Sequence, residues 1–269
     1  MDLATEEAMI QFNKLKVVFN GGTAIEKRAL NGVSLSIKER EFVTVIGGNG
    51  AGKTTLLSAL CGNVIPSSGS VIIDEVDVTK WPVWRRAGYV ARVFQDPMAG
   101  TCAHLSIEEN LALANKRAQQ HTFCRALSKE AREKFIEQLA RLGLGLEKRL
   151  RDPMGLLSGG QRQAVSLLMC TLQPMKILAL DEHTAALDPK TADFVMGLTN
   201  QIIAENNLTV LMVTHSMQQA LSYGSRTVML SEGKVVFDVK DAKRKQVTTQ
   251  DLLDLFHKNH LVGDDMLLS

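Results

Sequence analysis

One stretch limits this chain more than any other. Val43-Thr44-Val45-Ile46 runs into Gly47-Gly48-Asn49-Gly50-Ala51-Gly52-Lys53-Thr54-Thr55 and then into Leu56-Leu57-Ser58-Ala59-Leu60. A β-branched apolar run, a glycine-rich turn and a helix-forming segment in that order spell strand, turn and helix, and Gly47, Gly52, Lys53 and Thr54 satisfy G-x-x-x-x-G-K-[ST]. Glycines let the turn close tightly enough for successive backbone N–H groups to point inward, and the following helix adds its positive end, so a polyphosphate finds a concavity of donors. The nine residues from Gly47 to Thr55 are therefore candidate nucleotide ligands, with Lys53 reaching the β- and γ-phosphates and Thr54 placing its hydroxyl on Mg²⁺. A glycine-rich turn that binds nothing would not require the strand, the Lys-Thr pair and the helix together.

The pattern before this stretch is short and β-like: Ile10-Gln11-Phe12, Leu15 to Phe19 and Val33 to Ile37, separated by the turn signals Asn20-Gly21-Gly22 and Asn31-Gly32. After the helix, which should end near Gly62, a turn at Ser67-Ser68-Gly69-Ser70 leads to a strand at Val71-Ile72-Ile73. Another strand, Tyr89 to Phe94, stops at Gln95-Asp96-Pro97. Beyond Pro97 the composition changes. Ser106-Ile107-Glu108-Glu109 is a capping box, and Ser128 opens a segment with Phe135, Ile136, Leu139 and Leu142 at helical spacing, so residues 98–170 read as mostly helix. Ile177-Leu178-Ala179-Leu180-Asp181-Glu182 and Leu208 to Val213 have the unbroken apolar character of strands buried on both faces of a parallel sheet. Between them, Asp188-Pro189 has the N-cap and N1 pattern of a helix carrying Phe194, Leu198 and Ile202 on one face. Thr227 to Phe237 reads as a hairpin around Ser231-Glu232-Gly233-Lys234. A basic cluster follows, Lys240, Lys243, Arg244 and Lys245, read as solvated surface, and then a short amphipathic helix with Leu252, Leu253, Leu255 and Phe256.

The totals exclude several classes. With 269 residues, 45% hydrophobic and 22% charged, the chain can bury a sizeable core. A net charge of +2 lacks the clustered basic excess of a phosphate-backbone binder, so nucleic acid is not expected as a direct partner. Cys61, Cys102, Cys124 and Cys170 are scattered without a C-x-x-C pair, which suggests neither a zinc site nor a disulfide framework. Met1-Asp2-Leu3-Ala4-Thr5-Glu6-Glu7 shows no secretory signal. The apolar region over residues 165–180 is interrupted by Gln173, Pro174 and Lys176, short of the ~18 residues a membrane span needs. His257 and His260 stand at i, i+3, but no carboxylate or cysteine is arranged beside them and a solvated helix accounts for them.

Asp181-Glu182 sets two carboxylates at the C-terminal edge of a strand, where α/β folds bind ligands. Asp181 would hold Mg²⁺ directly or through water, and Glu182 would accept a proton from an attacking water. Alone, the pair could equally open a solvated loop. Leu157-Ser158-Gly159-Gly160-Gln161-Arg162-Gln163 contains a capping box between Ser158 and Gln161, and its two glycines bare the backbone for a phosphate at a helix N-terminus.

Taken in this order, the motifs across residues 10–237 resemble the ATP-binding-cassette (ABC) family, whose signature sequence Ser158-Gly159-Gly160-Gln161 matches residue for residue. The resemblance implies an α/β fold: a P-loop NTPase parallel-sheet core with an antiparallel β subdomain and an inserted α-helical subdomain. It divides the chain into residues 8–95 (first part of the core), 96–170 (helical signature subdomain), 171–238 (second part of the core) and 239–269 (tail with a short helix). On the residues alone, Gln95 is a polar residue after a strand and His215 a histidine at a strand end. The resemblance makes Gln95 the Q-loop glutamine that senses the γ-phosphate and metal, and His215 the switch histidine, so that Glu182, His215 and Gln95 form the catalytic set. It makes Asp188, otherwise an N-cap, the D-loop aspartate. Phe19 becomes the ring that stacks on adenine, the alternative being a core-facing phenylalanine. ATP and Mg²⁺ are the implied cofactors, the metal held by Thr54, Gln95 and Asp181.

One chain carries one cradle and one signature helix. In the family the signature of one cassette closes over the nucleotide held by another, so the resemblance implies a homodimer with two composite sites. It further implies a separate transmembrane permease, docked near Gln95, Met98, Gly100 and Thr101, and an extracytoplasmic substrate-binding protein. The subunit would then lie on the cytoplasmic face of the inner membrane and energise a bacterial importer of a small solute such as an amino acid. His183, where the family has Pro or a small residue, is read as a lineage marker rather than a group that perturbs Glu182; Ala185 stands where the D-loop often has Ser. The competing reading is a non-transport ABC ATPase acting on nucleic acid or ribosomes, but the chain lacks the long coiled coil, zinc-binding cysteines or tandem cassettes such proteins carry. A GTPase would need an N-K-x-D motif, which is missing after the cradle.

Overall fold

The structure, a computed structural model, describes residues 8–117 and 127–265, with side chains to 258. The acidic Met1–Glu7 segment, Cys124 and the side chain of His260 lie outside the described residues. The chain divides into two compact units, one built from residues up to Pro82 and from Thr209 onward, the other from Val83–Leu208.

In the first unit, β1 (Ala8–Phe19), β2 (Lys27–Lys38), β4 (Ser68–Ile73) and β5 (Val76–Asp77) form an antiparallel sheet in the order β2-β1-β4-β5. Its first two strands are longer than the sequence pattern suggests. Asn31-Gly32 is not a turn: β2 runs through it as a bulge, Leu15 facing Val33 and Lys16 facing Asn31, with Gly32 the extra residue at φ 83°. Only residues 20–26 make the connection between β1 and β2, where Thr23 N–H donates to Asn20 O.

The same unit holds β3 (Phe42–Ile46), β8 (Thr209–Val213), β9 (Arg226–Ser231) and β10 (Lys234–Lys240). β3 lies parallel to both β8 and β9, and β9 pairs antiparallel with β10. All five residues of β8 are buried, as an apolar run in a parallel sheet requires. Thr44, a polar residue inside this core, satisfies its hydroxyl against Ala220 O, Arg226 O and Thr227 Oγ1 at 3.0–3.1 Å. The β9–β10 turn is Glu232-Gly233, both at positive φ, the two-residue geometry whose twist matches a hairpin. α1 (Lys53–Cys61) follows β3 and stops at Gly62, and α7 (Met217–Ser222), α8 (Asp241–Arg244) and α9 (Thr249–Asp265) complete the unit.

The tail is more integrated than a solvated segment. α9 has 17 residues and is not short, and Leu252 is fully buried against Ile46, Ala220 and Met229. Arg244 is not solvated surface either. Its guanidinium donates to Ala220 O (2.7 Å), Tyr223 O (2.6 Å) and Thr227 Oγ1 (2.9 Å), capping carbonyls at the end of α7.

The second unit contains α2 (Val83–Arg86), β6 (Val90–Val93), α3 (Ile107–Asn115), α4 (Lys129–Ala140), α5 (Gly159–Thr171), β7 (Ile177–Asp181) and α6 (Pro189–Asn206). β6 and β7 pair in parallel, Arg92 opposite Ala179, and all five residues of β7 are buried. The capping box at Ser106 and the cap at Ser128 start α3 and α4 as their sequences predict. Phe135 and Leu139 of α4 pack with Ile107, Leu111, Val165 and Leu168 into one core, and a bidentate Arg132–Glu108 pair ties α3 to α4. Residues 98–105 and 141–158 are turns with two 3₁₀ segments, so helix fills less of this stretch than the composition suggests. Glycines at 143 and 145 and Pro153 interrupt it. The buried stripe of α6 is Val195, Thr199 and Ile202 with Met196, while Phe194 is 42% exposed: packing rotates the stripe one residue from the apolar spacing read in the sequence. The expected α/β class holds, with parallel strand pairs, a separate antiparallel sheet and a group of helices.

Candidate functional site

The phosphate cradle belongs to the first unit and is built at the end of β3. Gly47, Gly50 and Gly52 all take positive φ, and at two of them space is also closed. A Cβ on Gly47 would collide with Leu230 O, and one on Gly52 would lie 2.5 Å from Ala29 O and 2.8 Å from Leu30 Cδ2. The hairpin turn holds the loop from outside: Gly233 N–H donates to Ala51 O (3.1 Å), and Gly233 O accepts from Asn31 N–H (2.8 Å). The loop is thus held by β2, β9 and the turn between β9 and β10. Lys53 is 5% exposed, and its ammonium donates to Gly47 O (2.8 Å) and Gly48 O (3.0 Å), folded back over the loop it serves. α1 has Gly52 as its N-cap, a residue that offers no side-chain cap to the first turn. Asn49, Gly50 and Thr54 are exposed, and Gly48 and Thr55 half-buried.

His215 is exposed in the link from β8 to α7. The link is ordered by Thr214, whose Oγ1 accepts from Ser216 N–H (3.1 Å) and donates to Gln219 Oε1 (2.9 Å), and by Ser216, which caps α7 through Gln219 N–H. Phe19 closes β1 and is 39% exposed.

In the second unit, β7 delivers Asp181 and Glu182 to its C-terminal end, 6% and 8% exposed. Glu182 takes φ 47°, a left-handed conformation that costs a side-chain-bearing residue of order 1–3 kcal/mol and concentrates at functional sites. Asp181 already has a cation: Arg92 Nη2 donates to its Oδ2 at 2.6 Å. His183 is buried, bonded through Nε2 to Thr199 Oγ1 (3.1 Å), and desolvation lowers its pKa to about 4, so it is neutral at pH 7 and serves as a packing link from the strand end to α6. Gln95 is exposed just past β6.

The tip of α5 carries the reciprocal capping box: Ser158 N–H donates to Gln161 Oε1 (3.1 Å) and Gln161 N–H to Ser158 Oγ (3.3 Å). Ser158 and Gly159 are exposed, while Gly160 is buried. A Cβ on Gly160 would drive into Thr191 Cγ2, so this glycine is demanded by packing against α6 as well as by any phosphate. Asp188 caps α6 through Thr191 N–H (3.2 Å), and hydrogen bonds from the Thr191 hydroxyl and backbone hold its carboxyl below the usual range.

Three residues in this unit escaped sequence reasoning. Arg162 donates to Met154 O, Gly155 O and Leu157 O, fixing the loop before the tip. Gln163 donates to Phe94 O (3.2 Å), joining the tip helix to the backbone one residue before Gln95. Arg92 was visible only as a charge inside an apolar strand, the signal that could have found it.

Thr54 in the first unit and Asp181 in the second each carry a hard oxygen, the donor type that Mg²⁺ takes. Among the described residues no group of three or more His, Cys, Asp or Glu is placed to hold a metal ion.

Comparison with known proteins adds an independent line. The sequence model described as ABC transporter matches residues 30–185. The tyrosine transport ATP-binding protein of Clostridioides difficile is 41% identical over 249 residues, covering 92% of this chain and 98% of that protein. The energy-coupling factor transporter ATP-binding protein EcfA2 of Clostridium tetani is 34% identical over 233 residues, covering 85% and 78%. A dimeric ATP-binding cassette solved in a post-hydrolysis state with ADP and Pi superposes with a TM-score of 0.75 at 28% identity, covering 86% of this chain and 98% of that one. With the cradle, the strand-end carboxylates and the capped Ser-Gly-Gly-Gln tip all formed, this chain belongs to the ABC transporter family as an ATP-binding, ATP-hydrolysing cassette.

Proposed function

We propose that this cassette energises a bacterial importer of a small solute, an amino acid being the favoured class, and that it works as a two-fold dimer beside a separate membrane-spanning permease. The observation that carries the dimer is the single exposed Ser158-Gly159 tip on a chain with a single cradle. Such a tip serves the nucleotide of a second copy, and the related cassette with ADP and Pi is dimeric. The relative named for tyrosine transport supports the amino-acid class, and no helix among the described residues is long and apolar enough to cross a membrane, which fits a partner permease near Gln95, Met98, Gly100 and Thr101. An extracytoplasmic binding protein would deliver the solute, and the cassette would sit on the cytoplasmic face.

In this reading the backbone N–H groups from Gly47 to Thr55 bind the phosphates and Lys53 leaves its carbonyl partners to neutralise the β- and γ-oxygens. Phe19 stacks on the adenine. Thr54, Asp181 and Gln95 would hold Mg²⁺, which would supply positive charge to the phosphates. Glu182 takes a proton from the water that attacks the γ-phosphorus while the bond to the β-phosphate oxygen breaks, giving ADP and phosphate. His215 contacts the γ-phosphate, and Ser158, Gly159, Gly160 and Gln161 of one copy close on the nucleotide of the other, with Asp188 at the same junction. Removing the base tests the whole arrangement. Glu182→Gln is expected to retain ATP binding, lose ~10²–10⁴ in turnover and accumulate as a dimer in sizing with ATP; a strictly monomeric variant under saturating ATP overturns the composite site.

A further inference from the structure

The carboxylate assigned to the metal is already neutralised from within the chain. Arg92 and Asp181 sit on neighbouring parallel strands, Arg92 in register with Ala179, two residues before Asp181. Their side chains are 11% and 9% exposed, and Nη2 lies 2.6 Å from Oδ2. The guanidinium also stacks on Phe94, 4.8 Å from the ring centroid. The guanidinium is a planar, delocalised cation whose N–H groups match the edge of a carboxylate. A divalent ion reaching Asp181 meets a shared carboxylate with one oxygen engaged and a positive charge behind it. At such burial, charges are screened far less than on a surface.

Building on the metal role proposed for Asp181, we propose that Arg92 is the resident counter-ion of Asp181 and a positioning residue that sets the Mg²⁺ threshold of the nucleotide site. While no metal is bound, Arg92 keeps a buried carboxylate compensated. When metal and nucleotide arrive together, the phosphates supply the extra negative charge that a second cation at Asp181 requires. Metal alone then binds poorly, and the cassette responds to the metal–nucleotide complex.

The test uses the full chain with Glu182→Gln to stop turnover, and follows a fluorescent ATP analogue as Mg²⁺ is raised, with Mn²⁺ binding read directly by paramagnetic resonance. Arg92→Met, which keeps an apolar stem against Phe94, should lower the half-saturating Mg²⁺ at least tenfold and leave analogue binding in EDTA unchanged. Arg92→Lys should stay within about threefold of the parent. An unchanged midpoint in Arg92→Met overturns the proposal. Asp181→Asn separates the two levels: if it leaves metal binding intact, the metal role of Asp181 fails, whereas a loss there with no shift in Arg92→Met rejects Arg92 alone. A measurement on the unsubstituted side chain guards against a variant that does not fold. The guanidinium resonance of Arg92, assigned by its loss in Arg92→Lys, should move when Mg²⁺ joins bound ATP and not with ATP alone, and a resonance indifferent to the metal also overturns the proposal.

Discussion

Gly160 offers the sharpest test of what the tip of α5 is built for. A methyl placed there would lie well under 3.0 Å from Thr191 Cγ2, whereas the next atoms, Thr191 Cβ and Oγ1, would be at 3.6 and 3.9 Å, ordinary contact. The conflict is with one methyl group. Thr191 cannot freely turn that methyl away, because its hydroxyl bonds the Asp188 carboxylate that caps the same helix. Overpacking of this kind costs ~1–3 kcal/mol, partly offset by the better helix propensity of alanine. Thr191→Ser removes Cγ2, keeps Oγ1 and should cost about 0.8 kcal/mol or less, one methyl's worth. The double variant Gly160→Ala/Thr191→Ser should therefore recover most of the loss, with a coupling of ~1–3 kcal/mol against an additivity error of about 0.5. Thermal unfolding of the four nucleotide-free proteins reads this as a drop of roughly 2–10 °C for Gly160→Ala that the serine largely reverses. If Gly160→Ala is as stable as the parent, or if serine rescues nothing, the packing argument is wrong and the glycine is needed only by a ligand. ATPase activity of the rescued double then separates the two demands: a stable but inactive double assigns the remaining requirement to phosphate approach.

Three further outcomes follow from the placement of polar side chains and thiols. Arg244→Met should lower stability by ~1–3 kcal/mol by stripping donors from Tyr223 O and Ala220 O, while the exposed Lys243→Met stays within about 0.5, both read from denaturant midpoints. Burial raises the Cys170 thiol to about 11 from an ordinary 9.0, so its share of stability is full below about pH 9 and lost as pH rises through 11; Cys170→Ala should flatten that part of the alkaline stability curve. At pH 8 a thiol reagent should label exposed Cys102 in the native protein but reach buried Cys61 and Cys170 only on unfolding, and rapid native labelling of Cys170 would refute its placement.

What could be read along the chain was whatever acts within a few residues. The strand, glycine turn and helix around Lys53, the caps at Ser106, Ser128, Ser158 and Asp188, and the apolar runs of β7 and β8 are local patterns, because a cap spans three residues and a buried strand shows itself by unbroken apolarity. Where a side chain's meaning depends on a distant partner, the pattern was silent or misleading. Asn31-Gly32 has the composition of a turn, and only pairing with β1 makes it a bulge. Phe194 fits the apolar spacing of α6, yet packing buries Val195 instead. Arg244 looks like one more solvated cation until the end of α7 comes within reach, and Arg92 meets Asp181 only because β6 and β7 lie side by side. Residue types and spacing along the chain therefore determined the family and its phosphate chemistry. Strand register and helix packing decided which charges are neutralised, which glycine is crowded and which side chains remain available, since those depend on atoms brought within a few ångströms from dozens of residues away.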